Sequence, residues 1–171
     1  MERFVALLRG VNVGGVTLKM EAARRIFEEA GAVRVRSYLA SGNLVFEAGE
    51  AFVERGTALG IEREIGGSIP ALVMGEEEYR DQIAGCPFAD QDGRRVRGFF
   101  AFEDLSFDLE AAERLRASSE GLVVGDGVIW LYTPEGIGRS KLAERLERLA
   151  GGPLTGRNLN TIRALGEMLD G

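Results

Sequence analysis

The sequence predicts an α+β protein made of two similar halves, and three observations carry that prediction. Short β-rich runs alternate along the whole chain with stretches whose apolar residues recur at helical spacing. The order of these elements in residues 1–75 begins again in residues 76–171, so the two segments are expected to be two units. At 171 residues, with 45% hydrophobic and 28% charged residues, the chain can bury a core without staples and still cover its outside.

In the first half, Phe4–Leu8 is an apolar run ending in the glycine-rich segment Arg9–Gly15, which reads as a strand and a loop. Thr17 is placed to cap a helix over Leu18–Ala30, with Ala23, Ile26, Phe27 and Ala30 on one face and Gly31 as its stop. Val33–Leu39 is β-rich, Ser41-Gly42-Asn43 has turn chemistry, and Leu44–Glu47 returns as a second strand. Val53, Thr57, Ile61 and Ile65 give Glu50–Ile65 a helical spacing that Gly56 and Gly60 weaken. Ile69–Met74 is the last strand, and Pro70 inside it points to a sheet edge. This βαββαβ order is the split-βαβ, or ferredoxin-like, pattern.

The second half opens with a short helix, Glu76–Ala84, and a polar loop from Cys86 to Arg95. Val96–Phe102 reads as a strand and Asp108–Ala117 as a helix with Leu109, Ala112 and Leu115 on one face. Leu122–Val124 and Val128–Tyr132 form a hairpin around Gly125-Asp126-Gly127. Lys141–Leu149 follows as one helix, Gly151-Gly152-Pro153 breaks it, and Asn158–Leu169 is a final helix. The order is βαββα, with a terminal helix where a fourth strand would stand. The expected fold is therefore two ferredoxin-like units packed together, with an extra C-terminal helix.

Composition narrows the chemistry. The chain has no histidine, which removes a Ser-His-Asp triad, a Cys-His dyad, a histidine-held haem and a Cys/His zinc site. Its net charge of −6 makes it a poor general binder of nucleic acid, which is held by neutralising phosphates. One cysteine, Cys86, allows no internal disulfide and suits a reducing compartment. No run approaches the length of a membrane span or a signal peptide, so a cytoplasmic protein is expected.

Four segments stand out together: Ala6–Gly15, Ser37–Phe46, Tyr132–Leu142 and Thr155–Thr161. In this order and spacing they resemble the bacterial domain-of-unknown-function family 1697, over nearly the whole chain. The resemblance implies the two-unit α+β fold and no established activity, substrate or cofactor. Leu159 departs from the family pattern, which usually has an aromatic residue there. If that aromatic stacks on a ligand, ligand choice differs here.

Several of these segments can carry chemistry. Arg9, Gly10, Asn12, Gly14 and Gly15 lie between a strand and a helix, where a loop can offer backbone N–H groups to a phosphate. Residues 10–17 imitate P-loop spacing but lack its lysine, so a tight strand-to-helix crossing that needs small residues is the better account. Asn43 either completes a hairpin turn or presents a polar tip to a ligand. Gly138, Arg139, Ser140 and Lys141 follow a strand and open a helix. Cations there oppose the helix dipole and call for an anion or a carboxylate, while Ser140 is also a good N-cap. Arg157, Asn158 and Asn160 repeat the theme at the start of the last helix.

Arg94–Phe102 echoes the Arg-Gly-aromatic strand of RNA-recognition modules, although the alternation of Phe100 and Phe102 fits a core face better. Asp90 and Asp92 are too few to make a metal site, Glu76-Glu77-Glu78 suits a helix start, and Cys86 has no activating neighbour. The expected function is binding of a small phosphorylated or nucleotide-like anion by these Gly/Arg loops converging on one pocket. No cofactor is identifiable. Two alternatives remain: an enzyme using a carboxylate or Lys141 as its base, and an RNA or protein interaction module.

Overall fold

Strand β1 (Glu2–Leu8) is apolar on both sides, Val5 and Leu7 alternating with Phe4, Ala6 and Leu8, which suits the middle of a sheet covered on both faces. The computed structural model covers residues 1–171. In chain order α1 (Met20–Glu29), β2 (Val33–Tyr38), β3 (Asn43–Ala48), α2 (Glu54–Ile65) and β4 (Ala71–Gly75) follow, then α3 (Glu76–Ala84). The second set is β5 (Val96–Ala101), α4 (Leu109–Leu115), β6 (Gly121–Val124), β7 (Val128–Tyr132), a 3-10 turn at Ile137–Arg139, α5 (Lys141–Glu144), α6 (Leu146–Ala150), β8 (Leu154–Asn158) and α7 (Leu159–Asp170). Two compact units result: Met1–Arg80 with Ala164–Gly171, and Asp81–Arg163.

The sheets share one strand order, β2-β3-β1-β4 in the first unit and β6-β7-β5-β8 in the second, with antiparallel pairing. That is the ferredoxin-like arrangement, made twice and followed by a C-terminal helix. In the first unit Ala6, Leu8, Leu44 and Phe46 face Ala23, Ile26, Phe27 and Ile61 of the two helices. Gly60, a weak helix former, sits where α1 and α2 meet; a Cβ there would lie 2.6 Å from Ile26 Cγ2. Close packing explains the residue that propensity disfavours. On the opposite face Val5, Leu7, Val45 and Met74 are buried. Arg3 Nη1 donates to Leu169 O at 3.0 Å and Arg36 Nη2 to Met168 O at 2.6 Å, so two cations cap the carbonyl end of α7.

In the second unit Phe99, Ala101, Ile129, Leu131 and Leu154 face Ala112, Leu142, Leu146 and Leu149. The other face carries buried Val96, Phe100 and Trp130. A Cβ on Gly98 would lie 2.9 Å from Trp130 Cζ3 and 3.0 Å from Ile162 Cδ1, so the absent side chain makes room for both. Burial of Phe100 bears out its core assignment and leaves it no surface on which a base could stack.

Four expectations need correcting. The second unit does have a fourth strand: Leu154–Asn158 pairs with β5, and Thr155–Asn158 is not a helix start. Its partner is more than fifty residues away, and Gly156 lies under the Phe99 ring, so local pattern did not reveal it. Lys141–Leu149 is two short helices, interrupted at Arg145 (φ −107°, ψ 10°). Helix α1 starts at Met20, because Lys19 is extended, the Asn12 side chain takes both backbone groups of Leu18, and Thr17 caps nothing. Helix α2 starts at Glu54, after Phe52 and Val53 have paired with Gly49 and Ala30.

Candidate functional site

The first candidate loop follows β1. Gly10, Asn12, Gly14 and Gly15 all take positive φ, at 73°, 57°, 68° and 105°. Only glycine, and more rarely asparagine, adopts this conformation without strain. A Cβ at Gly10, Gly14 or Gly15 would meet nothing within 4 Å, so the glycines answer backbone handedness and not crowding. Asn12 holds the loop shut. Its Oδ1 accepts from Leu18 N–H at 3.0 Å, and its Nδ2 donates to Leu18 O at 2.9 Å and Ala40 O at 2.5 Å. Its backbone N–H reaches Val16 O at 2.8 Å. Arg9 is half-buried and engaged within the protein. Asn43 is fully buried in β3 and donates to Tyr38 O at 2.8 Å and Ser41 Oγ at 2.9 Å, which makes it the clasp of its hairpin.

The second candidate loop follows β7. Thr133 N–H donates to Arg95 O at 2.9 Å, which ties the loop to the start of β5. Gly136 has φ 97°, and a Cβ on it would lie 3.0 Å from Arg95 Nη1, so the Arg95 guanidinium rests on the loop backbone. Ile137 and Leu142 turn into the core beside Ile129 and Leu131. Ser140 Oγ accepts from Ala143 N–H at 3.0 Å, the capping role its position predicts. Gly138 faces open space, and Arg139 and Lys141 are exposed. No carboxylate pairs with Arg139 or Lys141, neighbouring Glu135 included, whereas Arg95 lies near enough to Asp92 to help Arg94 hold that carboxyl below its usual range.

Arg97 stands on β5 two residues beyond Arg95, and no local motif marks it. Strand alternation puts it on the face of Phe99 and Ala101, which pack under the helices of the second unit. It is paired across the ladder with Leu131 on one side and Asn158 on the other, so all three side chains emerge on that face. Its guanidinium is half-buried with no hydrogen-bond or ion-pair partner, and burial pushes its pKa below the ordinary arginine value. Its one signal in the sequence is its phase with Phe99, opposite to that of Phe100 and Phe102.

The last candidate segment splits. Arg157 is opposite Gly98 and therefore on the other face from Arg97. It is buried, and its Nη1 donates to Thr155 Oγ1 at 2.8 Å and Gly156 O at 2.9 Å. Asn158 is on the Arg97 face, where its Oδ1 accepts from Thr161 N–H at 2.9 Å and caps α7. Asn160 is exposed beside Gly93, whose carbonyl accepts from Leu159 N–H at 3.1 Å. Leu159 is buried core, with no face open to a ligand. Within the second unit, the structure thus gathers Arg95, Arg97, Asn158 and the loop of Gly138, Arg139, Ser140 and Lys141 at one end of the sheet. No three His, Cys, Asp or Glu side chains gather as metal ligands would. Burial raises the pKa of Cys86, which disfavours a reactive thiolate. No helix is long and apolar enough to cross a membrane.

Residues 1–130 match a family described as protein of unknown function, DUF1697. The chain belongs to this family. The matched segment includes Arg95 and Arg97 and stops short of Arg139. Among solved structures, a conserved bacterial protein from Streptococcus pneumoniae is 22% identical, covers 100% of this chain and 99% of its own, and superposes with a TM-score of 0.74. That likeness establishes a shared fold and nothing about activity. None of the curated proteins matches the chain.

Proposed function

We propose that this DUF1697 protein binds a small phosphorylated or nucleotide-like anion in the cytoplasm, with the Gly136–Lys141 loop as its main contact. One observation carries the reading: Arg139 and Lys141 stand exposed on one glycine-bearing loop with no carboxylate paired to either, and the Arg95 guanidinium rests on the same loop, in a chain with 27 acids and 21 bases. Elsewhere acids do find arginines, as in Arg25–Glu64, Arg63–Glu29 and Arg116–Glu113. A local excess of cations on an acidic protein gives a positive field confined to one place. Guanidinium forks suit the paired oxygens of a phosphoryl group, and glycine lets a ligand approach the backbone.

The test is a thermal-shift series with inorganic phosphate, nucleotides and sugar phosphates at two salt concentrations. A ligand at about 100 times its Kd adds about 2.7 kcal/mol, a rise of several degrees at this size. The rise should shrink as salt increases, and the double substitution Arg139→Gln, Lys141→Gln should remove most of it while leaving the unliganded Tm in place. A response that is absent with every phosphorylated compound, or indifferent to salt, rejects the proposal.

A further inference from the structure

The two units offer an internal control for Arg97. In the first unit Phe4 is paired with Phe46 on one side and with Gly75, the last residue of β4, on the other. In the second unit Arg97 is paired with Leu131 on one side and with Asn158, the last residue of β8, on the other. Both lie on the helix-covered face of the central strand of a sheet with one strand order, so the positions are equivalent. Phe4 stacks on Phe46 at 5.5 Å and on Phe52 at 6.3 Å, closing that end of the core with rings. Arg97 puts a charge in the same place.

A guanidinium does not shed its proton to relieve burial, so an uncompensated one is a standing cost to the fold. None of the acids on the helices that cover this face pairs with Arg97, and of these Glu144 is exposed and pairs with nothing. Glu110 pairs with Arg114, Glu113 with Arg116, and Glu147 accepts from Leu154 N–H. An apolar residue would fill the position as Phe4 does, so the charge calls for a partner from outside the chain.

We infer that Arg97 is the anchoring cation of the proposed anion site, its unpaired guanidinium held at the end of the second sheet to take two oxygens of a phosphoryl group. This rests on the reading above and adds its deepest contact. Arg95 and the loop of Arg139 and Lys141 draw the anion in from the rim, and Asn158 stands beside Arg97 on the same face.

The experiment is a titration of the full chain with inorganic phosphate at constant ionic strength, chloride being the exchanged anion, for the wild type, Arg97→Met and Arg97→Lys. Methionine keeps much of the apolar stem and removes the charge; lysine keeps the charge and loses the fork. Arg97→Met should bind phosphate about tenfold or more weaker, as expected for losing a charge-assisted contact. Arg97→Lys should fall between it and the wild type. Without phosphate, the Tm of Arg97→Met should equal or exceed that of the wild type. Unchanged phosphate binding by Arg97→Met overturns the inference and leaves the anion reading intact. A fall of several degrees in the unliganded Tm of Arg97→Met overturns it too, by making the guanidinium a structural element. A wild type with no phosphate response removes both.

Discussion

Phe4 and Arg97 hold corresponding places in two sheets of one topology, and they do opposite things there. Phe4 joins Phe46 and Phe52 in a ring cluster that seals the first unit. Arg97 leaves the matching corner of the second unit charged and unpartnered. Strand order, helix placement and ladder register are common to both, so the fold does not require a cation at this place. What differs is the work done by the corner. In one unit it completes a core, and in the other it interrupts one.

The loops contrast in a second way. The loop after β1 is closed by its own side chain, Asn12 reaching Leu18 and Ala40. The loop after β7 is pinned from outside by Thr133 and by apolar anchors, while Arg139 and Lys141 stay in solvent. The first uses its polar side chain for structure; the second uses Ser140 as a cap and keeps its two cations exposed.

The substitution that strikes this comparison hardest is Phe4→Arg, which gives the first unit the corner of the second. Losing the stacked ring and burying a lone charge should cost at least about 3–5 kcal/mol, read from urea unfolding. A cost below about 1 kcal/mol would show that a cation is harmless at this place in either unit and would weaken the case for Arg97. Next comes Asn12→Ala, which removes the loop's side-chain bonds and leaves an alanine at positive φ. About 2–3 kcal/mol is expected by the same measurement. Arg157→Gln should cost about 1–3 kcal/mol, because that guanidinium is buried and bonded. Ser140→Ala should cost about 1 kcal/mol through its cap. Arg139→Gln should stay within about 0.5 kcal/mol, since the side chain is exposed and makes no hydrogen bond or ion pair. Reversal of the last three in rank would mean that the β7 loop is as structural as the β1 loop.

Much of this was legible along the chain. The βαββαβ order, Ser140 as a cap, the Asp108 start of α4 and the Gly125–Gly127 hairpin all depend on neighbours within a few residues. Strand β8 was not legible. Leu154, Thr155 and Arg157 are buried in a strand whose partner β5 is distant in sequence, and its Gly156 is a packing answer to Phe99 that looks like a loop residue in isolation. The candidate site split along the same line. Gly138, Arg139 and Lys141 announced themselves by composition, whereas Arg97 acquires meaning only from the face it shares with Phe99 and the acids it does not meet.

The βαββαβ order of the first unit, most elements of the second, the lack of histidine chemistry and the existence of cationic loops thus follow from the sequence, because each rests on local backbone preference or on composition. The tertiary structure alone decided that Arg157 is buried and bonded, that Asn12 and Asn43 are clasps, and that Arg97 is a half-buried charge without a partner. Burial and pairing are relations between residues far apart in the chain, and no local spacing encodes which carboxylate fails to arrive.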